Sequence, residues 1–275
     1  MLSIQHVMSA MISSHGDRKW MDEHMAALVF PDAVRAYSGP RPYTHFERSS
    51  DGQDVSWWRM PVDMKSVSME SVAESLTDSH LATYRPCVIG EQTDIEAFRE
   101  HNGHLPESMH EGIETHLRQD VAFDDLVRNV IDCSGKYEDK FSFDGQEYDG
   151  KSVRRLIGRM EQEGIYAAAH RLYTEYGMTC DSAWIEREVR PVLERDYPKE
   201  LADKTLSFMR IDSDVDKWIR EHDWSHLHEG ILPVEVYDDL YDGVEMRVDS
   251  AARARSVERL MPDVSPQGDK GFSFE

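Results

Sequence analysis

The sequence predicts a mainly α-helical protein with one or two minor β-hairpins. Apolar residues recur at helical spacing through most of the 275 residues, and clusters of Ser, Asp and Gly separate the periodic segments. Two short stretches that combine β-favouring residues with an Asp-Gly turn predict the hairpins. Because no internal repeat of fixed period is present, we expect a single helical assembly with small β additions.

Two helices open the predicted fold. Residues 4–12 and 19–30 show helical periodicity, and the link at 13–17 supplies both a stop and an N-cap, which favours an antiparallel pair. Pro31 is expected to end the second helix because proline has no N–H. The Gly- and Pro-rich segment that follows, as far as Pro42, is expected to be a loop.

The remaining elements are also mostly helical. Asp181 and Asp214 are expected to cap two of the later helices. The hairpins are predicted at 45–60 and 141–148, where Asp-Gly dipeptides suit tight turns. The pattern predicts helices at 68–83, 94–100, about 106–131, 152–176, 181–195, 199–210, 214–221 and 249–260.

Length and composition fit one large domain with a C-terminal appendage. With 40% hydrophobic residues, the chain can bury a sizeable core. We expect a helical domain over 1–230, which holds the candidate metal ligands described below. Residues 231–275 are expected to form an acidic appendage that ends in a mobile tail rich in Pro and Gly.

The charge balance restricts the classes of partner. The formal net charge is −22, from 53 acidic and 31 basic residues. Strong binding to nucleic acid or to an anionic membrane surface is therefore not expected, since phosphate groups are held by Lys and Arg. A phosphate-containing substrate would need local positive charge, which bound metal cations can supply.

The sequence indicates a soluble protein of a reducing compartment. The three cysteines, Cys87, Cys133 and Cys180, are widely spaced and form neither a disulfide framework nor a CxxC zinc signature. The first residues lack a basic stretch and carry His6 among apolar residues, unlike a secretory signal. No apolar run reaches the length of a membrane span, so a cytoplasmic location is expected.

His116 and Asp120 lie four residues apart inside the long predicted helix. Helical spacing places both side chains on one face, with Cβ atoms roughly 6 Å apart. Imidazole nitrogen and carboxylate oxygen suit zinc. The pair alone is more often found at a helix surface than at a metal. The joint occurrence of further His and Asp residues upstream, His6, Asp32 and His45, favours the metal.

These residues together resemble the zinc-dependent phospholipase C superfamily, which includes single-strand-specific zinc nucleases. In that family an early His, an Asp that follows a Pro, a later His and a His-x-x-x-Asp helix form the main site. The phrase GIETHLRQD is similar to the family's Gly-x-x-x-His-x-x-x-Asp helix. The resemblance covers the N-terminal half and implies a multi-helix phospholipase C-like bundle. The matching positions are His6, Asp32, His45, His116 and Asp120.

The resemblance also implies a metal site and a reaction. Asp32, His45, His116 and Asp120 would hold one zinc ion, while Asp120 would bridge to a second zinc ion partly held by His6. Water activated by the metals would attack phosphorus in a phosphoester. Asp32 is a candidate catalytic residue as well as a ligand.

Several other residues are candidates from the sequence alone. His170, which follows three alanines on a predicted helix, is a candidate additional ligand or general acid, and Glu175 is a weaker one. His222, His226 and His228 could form a second metal-binding group, although Trp224 among them favours a packed segment.

The chain departs from the family pattern in three ways. Secreted members use a mature N-terminal amine as a ligand, whereas Met1 lies several residues before His6. The ligands of a further metal have no clean counterpart, and no membrane-docking domain is recognisable. A small soluble phosphoester is therefore a better expected substrate than a lipid.

Two alternatives remain open from the sequence. The first is a non-catalytic interaction protein on the same helical scaffold, whose acidic surface binds a basic partner or mimics nucleic acid. The second is a nucleotide phosphohydrolase of the HD type, which needs an adjacent His-Asp pair. The only such pair, His222-Asp223, lies far along the chain from the other candidates.

Overall fold

The fold, seen in a computed structural model, is a helical assembly with one small hairpin among the residues described. The structure describes residues 1–37, 41–48, 58–68, 70, 93–131, 140–143, 145–242 and 244–245. Within these ranges helices predominate and the only sheet has two strands. The predicted mainly α fold class is therefore confirmed.

The helices are numbered here in chain order. Helix α7 consists of Ser182–Trp184, a π-helical turn at Ile185–Val189, and Arg190–Asp196. Short 3₁₀ turns lie at Met64–Ser66 and Ser225–Glu229. The other helices are α1 (Ser3–Ser13), α2 (Arg18–Tyr37), α3 (Arg41–Thr44), α4 (Ile95–Asn102), α5 (Glu107–Val130), α6 (Gly150–Tyr176), α8 (Lys199–Phe208), α9 (Ser213–Glu221) and α10 (234–242).

The first two helices are joined by the tight link that the sequence predicts. His15 and Gly16 adopt positive φ angles of 53° and 72°, which reverse the chain. The carboxylate of Asp17 then accepts hydrogen bonds from the main-chain N–H groups of Lys19 and Trp20 at 2.9 and 3.3 Å. Asp17 is therefore the N-cap of α2.

Helix α2 continues through Pro31, and the prediction that Pro31 ends it was wrong. A proline inside a helix removes one main-chain hydrogen bond. Here the apolar face continues beyond it, because Phe30, Ala33 and Val34 are all buried in the core. Tertiary packing thus outweighs the local cost, and Asp32 lies within the helix rather than in the predicted loop.

Helices α2 and α5 pack closely against each other, and Gly112 makes the close approach possible. A Cβ atom on Gly112 would lie 2.8 Å from Cβ of Ala27 and 2.9 Å from the main-chain oxygen of His24. Any larger residue would therefore push the two helices apart. This pair of helices carries three of the five candidate ligands.

Asp residues cap several of the shorter helices. Asp94 accepts from the N–H of Ala97 at the start of α4, and Asp181 accepts from the N–H of Trp184 at the start of α7. Helix α9 is capped by Asp212 rather than by the predicted Asp214, which lies in its first turn. Each cap satisfies an N–H group that the helix leaves unbonded.

The second predicted hairpin is present. Strands β1 (Lys140–Phe143) and β2 (Gln146–Asp149) are antiparallel, and Phe143 pairs with Gln146 across the turn. Gly145 has φ of 73°, which glycine adopts without strain. The first predicted hairpin lies mostly outside the described residues, as do the predicted helix at 249–260 and nearly all of that at 68–83.

Helix α10 was not predicted. Tyr237, Leu240 and Tyr241 are at most 3% exposed, and they belong to the same core as α1 and α6. The hydroxyl of Tyr241 donates to the main-chain oxygen of Gly164.

The domain boundary at residue 230 stays a prediction. Among the described helices, none is long and apolar enough to cross a membrane.

Candidate metal centre

The structure brings the five predicted ligands together in the core. The three imidazole side chains are fully buried, Asp120 is 1% exposed and Asp32 is 11% exposed. Four segments supply them: α1 carries His6, α2 carries Asp32, His45 directly follows α3, and α5 carries His116 and Asp120.

The helical spacing on α5 has the expected effect. Nε2 of His116 lies 3.6 Å from Oδ2 of Asp120, one turn further along. Ile113 and Leu117 are fully buried, so this part of α5 faces the core. The His-x-x-x-Asp pair therefore points inward.

His45 lies at the middle of the cluster. Its Nε2 is 3.1 Å from Nε2 of His116, 3.3 Å from Oδ1 of Asp32 and 3.6 Å from Oδ2 of Asp120. Its other ring nitrogen, Nδ1, lies 2.8 Å from Oγ1 of Thr44. One nitrogen thus faces the cluster while the other is held by a neighbour.

Asp32 reaches the cluster from α2. Its Oδ2 accepts a hydrogen bond of 2.9 Å from the hydroxyl of Ser3 on α1. Its Oδ1 faces His45. The carboxylate is therefore oriented by a residue from another helix, with one oxygen left for the cluster.

His6 packs against the ring of His116. The two rings stack with centroids 3.7 Å apart and planes 17° from parallel. Nε2 of His6 lies 3.3 Å from Oδ1 of Asp120, while His45 and His116 lie nearer to Oδ2. Asp120 therefore presents one oxygen to each side.

The ligand atoms form two overlapping groups that share His116. His6, His116 and Asp120 form one group, and Asp32, His45 and His116 form the other. Within each group the potential ligand atoms all lie within 4.8 Å of one another. Three ligand atoms at this spacing can coordinate a single metal ion. The described residues therefore include two candidate positions for a cation.

Unsatisfied buried atoms test whether a metal fits. Nε2 of His6 and Nδ1 of His116 are buried and have no hydrogen-bond partner among the described residues. An unpaired buried polar atom costs about 1–3 kcal/mol. A cation would give the His6 nitrogen a partner, and imidazole and carboxylate are suitable ligands for it. The residues present therefore fit a bound transition metal.

Both carboxylates are held in the charged form. Burial alone would raise the pKa of Asp32, but the hydrogen bond with His45 holds it well below its ordinary value. Burial acts in the same way on Asp120, and the Met1 amine and Arg41 outweigh it to keep that pKa well below its ordinary value. Metal ligation requires this ionised form.

Two of the imidazoles are held in the neutral form. Burial lowers the pKa of His45, and the nearby charge of Arg41 lowers it further. Burial and the proximity of His6 keep the pKa of His116 well below its ordinary value. Neutral imidazole is the form that binds a metal.

Two cationic groups that the sequence did not reveal also reach Asp120. The amino group of Met1 lies 2.8 Å from Oδ1, and the guanidinium of Arg41 donates to Oδ2 at 2.8 Å. Arg41 also donates to Glu47. No local motif marks these contacts, because each depends on how α1 and α3 pack against α5.

A third carboxylate follows Asp120 by one helical turn. Burial, together with the negative charge of Asp120, raises the pKa of Asp124 to about 7. Glu161 on α6 lies 3.7 Å from the Met1 amine. Acidic groups therefore extend beyond the five predicted ligands on the side of α6.

The other candidates from the sequence are not brought into this cluster. His170 packs edge-on against Trp224, and Glu175 pairs with Arg171. His222, His226 and His228 are not in either candidate group, and His226 stacks on Trp218 with ring centroids 3.9 Å apart. The interpretation that Trp224 marks a packed segment agrees with these contacts.

Comparisons with known proteins do not assign the chain to a family. No family model matches it. No curated protein and no solved structure matches it either. The resemblance to the zinc-dependent phospholipase C superfamily therefore stays a prediction from the motifs.

Proposed function

We propose that the protein is a metal-dependent hydrolase of small phosphoesters, with zinc as the metal and two ions as the full complement. The convergence of His6, Asp32, His45, His116 and Asp120 supports this proposal above all else. These residues are scattered over the first 120 positions, and local structure alone would not bring them together.

The ligand chemistry favours zinc over magnesium or calcium. Magnesium and calcium prefer all-oxygen surroundings, whereas three imidazoles and two carboxylates suit zinc and similar metals. When bound, such a metal lowers the pKa of water to about 7 and stabilises negative charge on phosphoryl oxygens.

The residues themselves have distinct roles in the proposal. Asp120 can serve both positions because its two oxygens face different histidines. Asp32 orients His45. As the most exposed of the five ligands, its carboxylate is also our candidate proton acceptor for the reacting water. Arg41 is 22% exposed and provides a positive charge near the ligands for an anionic substrate.

Metal analysis and a hydrolysis assay test the proposal. Protein purified without chelators should contain at least one equivalent of transition metal, and it should hydrolyse bis(p-nitrophenyl) phosphate or p-nitrophenyl phosphate after zinc is added. His45→Gln should lose metal and activity together. His24→Gln is the matched control, because His24 is also buried but belongs to neither candidate group. Less than one equivalent of metal, with no gain on adding zinc, would contradict the proposal.

A non-catalytic, metal-stabilised helical protein is the second candidate. Its support is the burial of the cluster, since His6, His45 and His116 have no exposed surface and structural metal sites are closed. Such a protein could present its acidic surface to a basic partner. It predicts tight metal binding without hydrolysis of either phosphoester, so the same experiment separates the two candidates.

A further inference from the structure

Gln119 and His6 are joined by two hydrogen bonds in the core. Nε2 of Gln119 donates to the main-chain oxygen of His6 at 3.1 Å, and Oε1 of Gln119 lies 2.6 Å from Nδ1 of the His6 ring. Both side chains have no exposed surface. The two contacts together fix how the amide is oriented.

The hydrogen positions follow from donor and acceptor chemistry. A main-chain oxygen can only accept, so the amide nitrogen of Gln119 must face it and the amide oxygen must face Nδ1. An amide oxygen also only accepts, so Nδ1 of His6 must carry the hydrogen. In the neutral ring the other nitrogen, Nε2, then has a lone pair and no hydrogen.

That lone pair points into the candidate centre. Nε2 of His6 is buried, has no hydrogen-bond partner among the described residues, and lies 3.3 Å from Oδ1 of Asp120. Two acceptors that face each other in the core repel unless a cation or proton lies between them. The His116 ring, stacked on His6, offers no hydrogen-bond donor to Nε2 across its face.

We propose that Gln119 is a positioning residue that fixes His6 as an Nδ1–H tautomer and so presents Nε2 as a ligand. The consequence for metal binding rests on the proposed function, whereas the tautomer itself does not. A histidine that binds a metal usually donates its other N–H to such a partner, and loss of that partner typically weakens metal affinity 10–100-fold. Gln119 directly precedes Asp120, so one turn of α5 provides both a ligand and the group that orients another ligand.

Nitrogen NMR of the metal-free wild-type protein tests the tautomer directly. Long-range proton–nitrogen correlations of labelled histidine distinguish protonated from bare ring nitrogens. We expect His6 to have hydrogen on Nδ1. A bare Nδ1, with the ring hydrogen on Nε2 alone, would overturn the proposal.

Zinc affinity of three variants tests the consequence. Gln119→Met removes the acceptor and should weaken zinc binding 10–100-fold, measured by competition with a chelating dye. Gln119→Glu keeps an acceptor for Nδ1 but loses the donor to the main-chain oxygen of His6, so its tautomer should be unchanged and its affinity should exceed that of Gln119→Met. Gln5→Met is the matched control: Gln5 is a fully buried glutamine on α1 that faces Gly164, and its variant should keep wild-type affinity.

The outcomes separate this proposal from the proposed function. If Gln119→Met and Gln5→Met weaken zinc binding equally, Gln119 has only a packing role and the proposal is wrong. If the wild type binds no zinc, the proposed function fails, and the NMR result alone then decides whether Gln119 sets the tautomer. If Gln119→Met does not fold, Gln119→Glu and the wild-type spectrum still decide it.

Discussion

Nε2 of His45 and Nε2 of His116 lie 3.1 Å apart in the core, although the two residues are 71 positions apart in the chain. Burial is the largest cause that lowers the pKa of both rings, and both are therefore neutral near pH 7. Two neutral imidazoles at this distance either share one hydrogen or direct both lone pairs at a common cation. A bound cation satisfies both nitrogens.

We therefore expect zinc to stabilise the folded protein. A ligand at 100 times its Kd adds about 2.7 kcal/mol to the free energy of unfolding, which for a chain of this size raises Tm by roughly 5–10 °C. Differential scanning calorimetry with zinc and with a chelator measures the difference. Asp120→Asn, which keeps the side-chain volume, should remove the response. An equal zinc response in the variant would place the stabilising metal elsewhere.

The close contact of α2 and α5 predicts a sensitive glycine. Gly112→Ala puts a methyl group 2.8 Å from Cβ of Ala27, so we expect a loss of about 1–3 kcal/mol in the free energy of unfolding. Urea unfolding followed by circular dichroism measures it. Gly158→Ala on α6 is the control, because a Cβ there meets nothing within 4 Å and should stabilise the helix slightly. Unchanged stability of Gly112→Ala would mean that the helices lie further apart than described.

Glu114 should make the protein sensitive to acid. Its carboxylate is 2% exposed and accepts from Arg99 and Arg118 at 2.7–3.2 Å. Burial alone would raise its pKa, but these two arginines lower it below the ordinary value. Because the folded-state pKa is the lower one, the stabilisation is present above the unfolded pKa of ~4.3 and is lost as pH falls through the folded value.

Glu114→Gln tests this pH dependence. The variant should be less stable than the wild type by about 1–3 kcal/mol at neutral pH, and the difference should shrink below pH ~4. Urea unfolding at several pH values measures it. A difference that stays constant down to strongly acidic pH would show that the lost stability comes from packing rather than from charge.

Cys180 should resist alkylation in the folded protein. Its thiol has no exposed surface and lies 4.0 Å from the sulfur of Met11. Burial raises its pKa to about 12, so the reactive thiolate is scarce at ordinary pH. Peptide mass spectrometry after iodoacetamide treatment should find Cys180 unmodified in buffer and modified in denaturant. Equal labelling in both would contradict the described packing.

The sequence predicted the parts of the site that local structure determines. His116 and Asp120 face the same way because four residues make about one helical turn, and this holds wherever the helix packs. Pro31 misled the prediction because its local effect is outweighed by the buried residues around it. Asp32 nevertheless reaches the cluster, since its position on α2 is fixed by the same packing.

Other parts depend on packing that no local pattern reveals. Arg41 and Gln119 contact ligands far away in the chain, and only the assembled helices bring them together. Helix α10 did have a signal, because Tyr237, Leu240, Tyr241 and Val244 recur at helical spacing. Pro233 and the surrounding Asp residues obscured that pattern.

The order of the ligands along the chain has a consequence during protein synthesis. His6, Asp32 and His45 leave the ribosome early, but the groups that complete the cluster follow only with α5. Until residue 120 has emerged from the exit tunnel, the early imidazoles and Asp32 lack their partners. The nascent chain therefore cannot assemble this centre until α5 has docked against α1 and α2.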